Sequence, residues 1–455
     1  MKRTLLFVFG LFSMAICYGQ AAMKYSPEQL KQDLAFLKQH VYSVHAYPYT
    51  ELSKAQYDQL FDSIEHQLTG PVTSAGFLKL VKPVIAHLAD EHSDISLKKE
   101  LLPDAYLNGT IYPPFSLVKT KNGYSVDKVL AGSSLAPGEQ VVSINNVPIE
   151  TWLRNCALCS TGFANQRDAN ALKRFGYLFA WANPEVGDVF NIKTGKGKTI
   201  PVKGTTLMVW NDFLNGQQTG GDCPERLIYQ RYGDIGYINA CSFDAKAKGR
   251  FSLDSLHLKI DHIFKQIQVD GIKTLVIDVS KNLGGSSAIG DHIIGHIYGK
   301  PYLGYQSTWK KSEEYLKLLT SWGFSSAAYS KAADGEVLHF KSDTVMPQLS
   351  HLNRFKGKTV IVVGAATFSS AILFATTIKD NHIAKIIGQT PENGHPNGFG
   401  ELYNTTLPNT KISLRFGVKE WIRPAGKNND NVLHPDVLLT DAQMASVAQL
   451  IKAAN

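Results

Sequence analysis

The run Val360–Phe374, VIVVGAATFSSAILF, constrains the fold more than any other stretch of the chain. Val360 to Val363 is an unbroken apolar, β-branched segment, as a strand buried on both faces requires. Gly364, Ala365 and Ala366 are small enough for a tight turn, and Ala371 to Ile378 has the composition of a helix. Ser369 and Ser370 therefore stand between a buried strand and a helix start. The free N–H groups of such a start can hold an oxyanion, so a serine there is either a nucleophile or a helix cap.

The first residues read as an address. Lys2 and Arg3 precede the apolar Leu5–Cys17, too short to span a bilayer, and Gly19, Ala21 and Ala22 are small residues suited to cleavage before Gln20. A signal peptide over 1–19 and a periplasmic or extracellular mature chain are expected. Lipid attachment at Cys17 is the weaker reading, because Ile16 stands where a small residue is needed. No later segment is apolar enough for an integral membrane span.

At 455 residues, 44% hydrophobic and 19% charged, the chain has material for more than one core. Its formal charge of +8 is scattered, without a Lys/Arg block, which argues against a nucleic-acid partner. Cys156, Cys159, Cys223 and Cys241 allow one or two disulfides, in three pairings. Cys156 and Cys159 lack the second close pair that a structural zinc site needs. No cofactor and no metal are expected.

Residues 20–105 read as a helical domain. Ser26-Pro27-Glu28-Gln29 is a helix-start signal, followed by Leu30, Leu34, Leu37 and Val41 at helical spacing. Helices are also expected over Lys54–Leu68 and Ala75–Leu88, the latter kinked at Pro83. The domain runs into Asp90-Glu91-His92-Ser93. His92 is either an exposed loop histidine or a proton acceptor suited to a serine near neutral pH.

Residues 106–205 change to short β-type runs separated by turn signals, such as Asn122-Gly123 and Pro137-Gly138. The run Leu135–Asn146 resembles a PDZ domain over roughly 111–200, which implies a groove where a peptide end adds as a strand. A generic β module without a ligand is the alternative.

Residues 206–455 read as an α/β core. Strands are expected over Gly233–Ala240, Leu275–Val279 and Ile383–Ile387, with helices over Phe251–Gln268 and Ala288–Ile297. A hairpin is expected across Pro408-Asn409, and a closing helix over Asp441–Ala453. Gly284-Gly285 follows a buried strand, where paired glycines can turn the backbone and aim N–H groups at one point. Residues 299–350 read as an insertion able to cover a site.

In this order, Asp90-Glu91-His92, the PDZ-like segment, Asp278–Gly285 and Thr367–Ser370 resemble the tail-specific, or C-terminal processing, serine peptidase family, and within it the tricorn-core type. The resemblance implies a ClpP/crotonase-like α/β peptidase core, with an N-terminal helical domain and a small PDZ-like domain. It implies Ser369 as nucleophile, and Gly284, with Gly285 beside it, and the Ser370 N–H as oxyanion donors. Many relatives use a lysine base some two dozen residues after the serine. Here that region is Asn393-Gly394-His395-Pro396, so the base implied is the tricorn-type histidine, His92, with His395 as runner-up. The third group, a glutamate in the tricorn type, is expected before Pro435-Asp436. Asn429 stands nearest that position and Asp430 beside it is the choice, with a water or an amide as the alternative. Asp436 itself is expected to organise its loop.

Three further positions depart from the family pattern: Ile372 and Gln389 where glutamates are usual, and Leu283 where a proline is usual. The expectation is a secreted Ser–His peptidase acting on peptide or protein substrates. The alternative is an inactive relative that binds peptides or lipophilic ligands. A lipase or esterase is disfavoured, since Ser369 lacks the Gly-x-Ser-x-Gly elbow.

Overall fold

The computed structural model describes residues 23–183, 187–215, 223–321, 323, 326–347, 354–427 and 430–454. The expected signal peptide and Cys17 lie outside the described residues.

The N-terminal helices Pro27–Ser43, Lys54–Gln67 and Ser74–Ala86 form because each apolar stripe has a matching start signal. Ser26 and Gln29 make a reciprocal capping box, as do Ser53 and Gln56. Leu30, Leu37 and Val41 meet Tyr57, Phe61 and Val81 in one core. Pro83 sits within the third helix.

The central sheet carries the expected buried strands. Its order is Ile228–Tyr232, Ile235–Asn239, Thr274–Asp278, Lys358–Val363, Lys385–Gly388 and Val437–Leu438. The first pair is antiparallel and the others are parallel. Both faces are covered, which explains the unbroken apolar runs. Ile277, Ile361 and Val363 face the helices Leu253–Val269, Ser287–Ile297 and Ser370–Asp380. Val276, Val360 and Val362 face Leu450 and Ala454. The closing helix is two pieces, Asp441–Met444 and Val447–Ala454, rather than the single one expected.

Between these regions lies an antiparallel sheet of Phe115–Thr120, Gly123–Val129, Gln140–Ile144, Val189–Thr194 and Thr199–Lys203. The sequence reading expected β structure there but not the three helices Ile149–Ala157, Ala164–Lys173 and Phe175–Ala182. Ile149, Trp152, Leu153 and Cys156 stand at helical spacing and are buried, so the signal was present inside a segment read for alternation. The second helix joins the parts of the molecule. Arg167 is bidentate to Glu51 at 2.9 and 2.8 Å and donates to the carbonyls of Ala86 and Gly162. Gln166 donates to Asn393, 2.9 Å away.

A further sheet has the order Val337–Phe340, Gln306–Lys310, Ser413–Ile422, Gly398–Thr406, with Asp94–Ser96 paired to the start of Ser413–Ile422. The hairpin is thus longer than expected. The 299–350 segment supplies two of its strands, and Trp309, Tyr315 and Tyr329 pack into the core of the N-terminal helices. Cys223 and Cys241 form a disulfide, while Cys156 and Cys159 are free thiols.

Candidate active site

Ser369 stands at the N-cap position of the Ser370–Asp380 helix with φ 53° and ψ −128°, and its side chain makes no capping hydrogen bond. A non-glycine residue held there carries about 1–3 kcal/mol of backbone strain, sustained only when the surroundings over-determine it. They do so here. Thr367 Oγ1 donates to the Val279 carbonyl and accepts the Gly364 N–H, both at 2.9 Å. The Phe368 N–H donates to the Asn282 carbonyl at 3.0 Å. Ser370 Oγ donates to the Gly285 carbonyl at 2.6 Å. The serine turn and the glycine loop are stitched together strand to strand.

His92 Nε2 lies 3.2 Å from Ser369 Oγ, across 277 positions of chain. The imidazole lies nearly flat against the Phe368 ring, with centroids 4.9 Å apart and 17° between planes. Its backbone is fixed at both ends: the N–H donates to Asp90 Oδ1 at 2.7 Å, and the carbonyl accepts from Arg415 Nε at 2.7 Å.

Two site expectations need correction. Asp430 is paired with His434, 2.6 Å away, on an exposed turn, and its hydrogen-bond partners are His434 and Val432. The carboxylate beside the imidazole is Asp90, whose Oδ1 is 3.9 Å from His92 Nδ1. Among the described residues Nδ1 has no hydrogen-bond partner, and 3.9 Å is too long for a hydrogen bond. Asp90 is completely buried, and its Oδ2 accepts from Ser93 Oγ, from the Gly417 N–H at 3.3 Å and from His45 at 3.3 Å. Burial pushes its pKa up, but the His45 hydrogen bond and the charges of His45 and His92 outweigh this and hold it at about 2. Asp90 was legible as part of a motif, but not as the charge behind the histidine.

The second correction concerns Gly284. Its N–H donates to Asn282 Oδ1 at 2.7 Å, so that amide is already used. Among the described residues, the amides of Gly285 and Ser370 donate to no other group. Gly284 matters through close approach instead. A Cβ there would stand 2.6 Å from Ser369 Cβ and 2.9 Å from the Ser370 nitrogen, at a φ of 94°.

His395 pairs with Glu91 at 2.8 Å, next to Phe163, so its Nδ1 is directed at an acid and not at the serine. Asp436 organises its loop as expected, accepting the Ile386 N–H at 2.8 Å and pairing with Lys379. Ile372 is buried in the core behind the serine helix. Gln389 donates to Asp441 at 2.6 Å.

Residues 234–439 match the model of peptidase family S41. No curated protein matches the chain in sequence. Among solved structures, mature CPAF complexed with lactacystin aligns with a TM-score of 0.59 at 15% identity, covering 94% of this chain and 99% of that one. Another structure of mature CPAF scores 0.57 at 15% identity, over 91% of this chain and 93% of that one. These likenesses are of fold.

Proposed function

The chain is a serine-type peptidase of the S41, C-terminal processing, family, and from that premise we propose that it cleaves peptide bonds by a Ser–His mechanism, with Ser369 as nucleophile and His92 as base. The observation that carries the reading is the 3.2 Å contact between His92 Nε2 and Ser369 Oγ, at a serine held in a strained strand-to-helix turn. A serine hydroxyl is a weak nucleophile until a neighbouring base takes its proton.

His92 Nε2 takes the hydroxyl proton as Oγ attacks the scissile carbonyl, then delivers it to the leaving amine. A water repeats the sequence on the acyl-enzyme. The imidazolium formed in each half is stabilised by Asp90, which stays ionised because its pKa is held at about 2. The tetrahedral oxyanion is received by the Ser370 and Gly285 amides, in a role where one donor is worth roughly 2.7–4 kcal/mol in another serine peptidase.

The 106–205 module is proposed to act as a PDZ-like domain that presents a chain terminus. Support comes from its antiparallel sheet and from its attachment to the catalytic loop, where the Gly162 N–H donates to the Asp90 carbonyl at 3.2 Å. The mature chain is proposed to work outside the cytoplasm, on the strength of the 1–19 pattern and the Cys223–Cys241 disulfide. Among the described residues no helix is long and apolar enough to cross a membrane.

The test is labelling with a serine-directed fluorophosphonate together with turnover of a peptide library, for wild type and Ser369→Ala. Labelling and turnover confined to wild type support the reading. A folded wild-type protein that neither labels nor cleaves would leave a peptide-binding relative.

A further inference from the structure

The helices Leu253–Val269 and Ser287–Ile297 pack against one another beneath the central sheet, and their contact is not purely apolar. Asp261 projects from the first helix, and His292 and His296, four residues apart, from one face of the second. Both imidazoles direct Nε2 at the same oxygen: Asp261 Oδ1 lies 2.7 Å from His292 and 2.8 Å from His296. The three ligand atoms lie within 4.8 Å of one another. His296 is clamped face to face on Phe264, with centroids 4.3 Å apart and 3° between planes, and His292 is stacked on His257 at 4.2 Å and 9°. Both rings are therefore held in place before any ion arrives. Side-chain exposure rises from 2% at His296 through 17% at His292 to 34% at Asp261, so the trio is open to solvent on the carboxylate side.

We infer that Asp261, His292 and His296 form a binding site for one divalent transition-metal cation, bound through two imidazole Nε2 atoms and one carboxylate oxygen, with water completing the coordination. Two histidines and a carboxylate on rigid elements, with open positions, suit zinc and its first-row neighbours and do not suit calcium or magnesium, which demand oxygen ligands. An ion replaces the two N–H···O contacts by metal–ligand bonds and leaves the Phe264 and His257 stacks in place as orienting contacts. The site is separate from the Ser–His pair. The 287–297 helix nevertheless starts just after the glycine loop, and Gly290 on it packs against Phe374 of the serine helix. An ion at this seam would stiffen the scaffold that carries Gly285.

The test is calorimetric titration of chelator-stripped full chain with Zn2+, for wild type, Asp261→Asn, His292→Gln and His92→Ala. Asp261→Asn keeps a carbonyl oxygen to accept from an imidazole N–H, so it preserves a purely hydrogen-bonded trio while removing the anionic ligand. Wild type and His92→Ala are expected to bind one equivalent. Asp261→Asn and His292→Gln are expected to weaken it by more than the ~10–100-fold typical of outer-contact substitutions in metal sites. Co2+ should give visible absorption bands in wild type that both of these variants lack. The inference is overturned if wild type binds no equivalent, if Asp261→Asn binds as tightly as wild type, or if His92→Ala abolishes the equivalent.

Discussion

Asn282 Oδ1 accepts the Gly284 N–H at 2.7 Å, and the same side chain donates to the Ala240 carbonyl at 2.7 Å. One fully buried amide thus joins two strand ends and shapes the glycine loop behind Ser369. Asn282→Ala orphans a buried donor and a buried acceptor, at ~1–3 kcal/mol each. The expected outcome is a stability loss of about 2–4 kcal/mol in urea titration, with kcat falling and KM little changed. An unaltered kcat would remove the loop from the oxyanion site.

The backbone at Ser369 predicts a separation between two inactive variants. Ser369→Ala keeps a Cβ at φ 53°, whereas Ser369→Gly relieves the strain but gains unfolded-state entropy. Glycine should be more stable than alanine by roughly 1 kcal/mol or more, read as the difference in urea midpoint. Alanine equal to or above glycine would mean the turn carries no strain.

The two candidate acids are separable by kinetics. Asp90→Asn should lower kcat by two orders of magnitude or more; the equivalent change in a serine protease triad costs ~10⁴. Asp430→Asn should stay within about twofold of wild type, since an exposed ion pair contributes little. The reverse order of effects would restore Asp430.

Acid should expose the same residue through stability. The Asp90 carboxyl sits at about 2 in the folded chain, below the ~3.9 of an unfolded aspartate. A group lowered on folding stabilises the fold above its unfolded value and surrenders that contribution as pH falls through the folded one. Wild type should therefore exceed Asp90→Asn by an amount of order 2 kcal/mol near neutral pH, narrowing between about pH 4 and pH 2. Urea midpoints measured across that interval check it, and a gap that does not narrow contradicts it.

The elements around the serine were legible because their signals are local. The β-branched run at 360–363, the small turn residues and the paired glycines each declare a backbone state over a few positions. His92 was legible as a candidate proton acceptor and as part of a family pattern. The carboxylate beside it was not. Asp90 gains its place beside the imidazole from the positive-φ turn at Ala89, at φ 53°, and from the Gly417 amide delivered by a remote strand. No short-range pattern encodes either. Asp430 drew attention by standing near Pro435-Asp436, yet four residues later lies His434, and that neighbour takes its charge. Likewise, Gly284 was read as a turn glycine whose amide serves the oxyanion, while the use of that amide depends on the side chain of Asn282 and the close approach to Ser369 on the finished fold.

The strand Ser413–Ile422 supplies the Arg415 guanidinium to the His92 carbonyl and the Gly417 amide to Asp90, over 323 and 327 positions. Cutting power in this molecule is consequently a property of the finished tertiary structure. A nascent or half-folded chain has the serine and the histidine but no means of bringing them into register. Recovery of hydrolysis after denaturation would then trail recovery of helical signal, making enzymatic rate a clock for the last folding step.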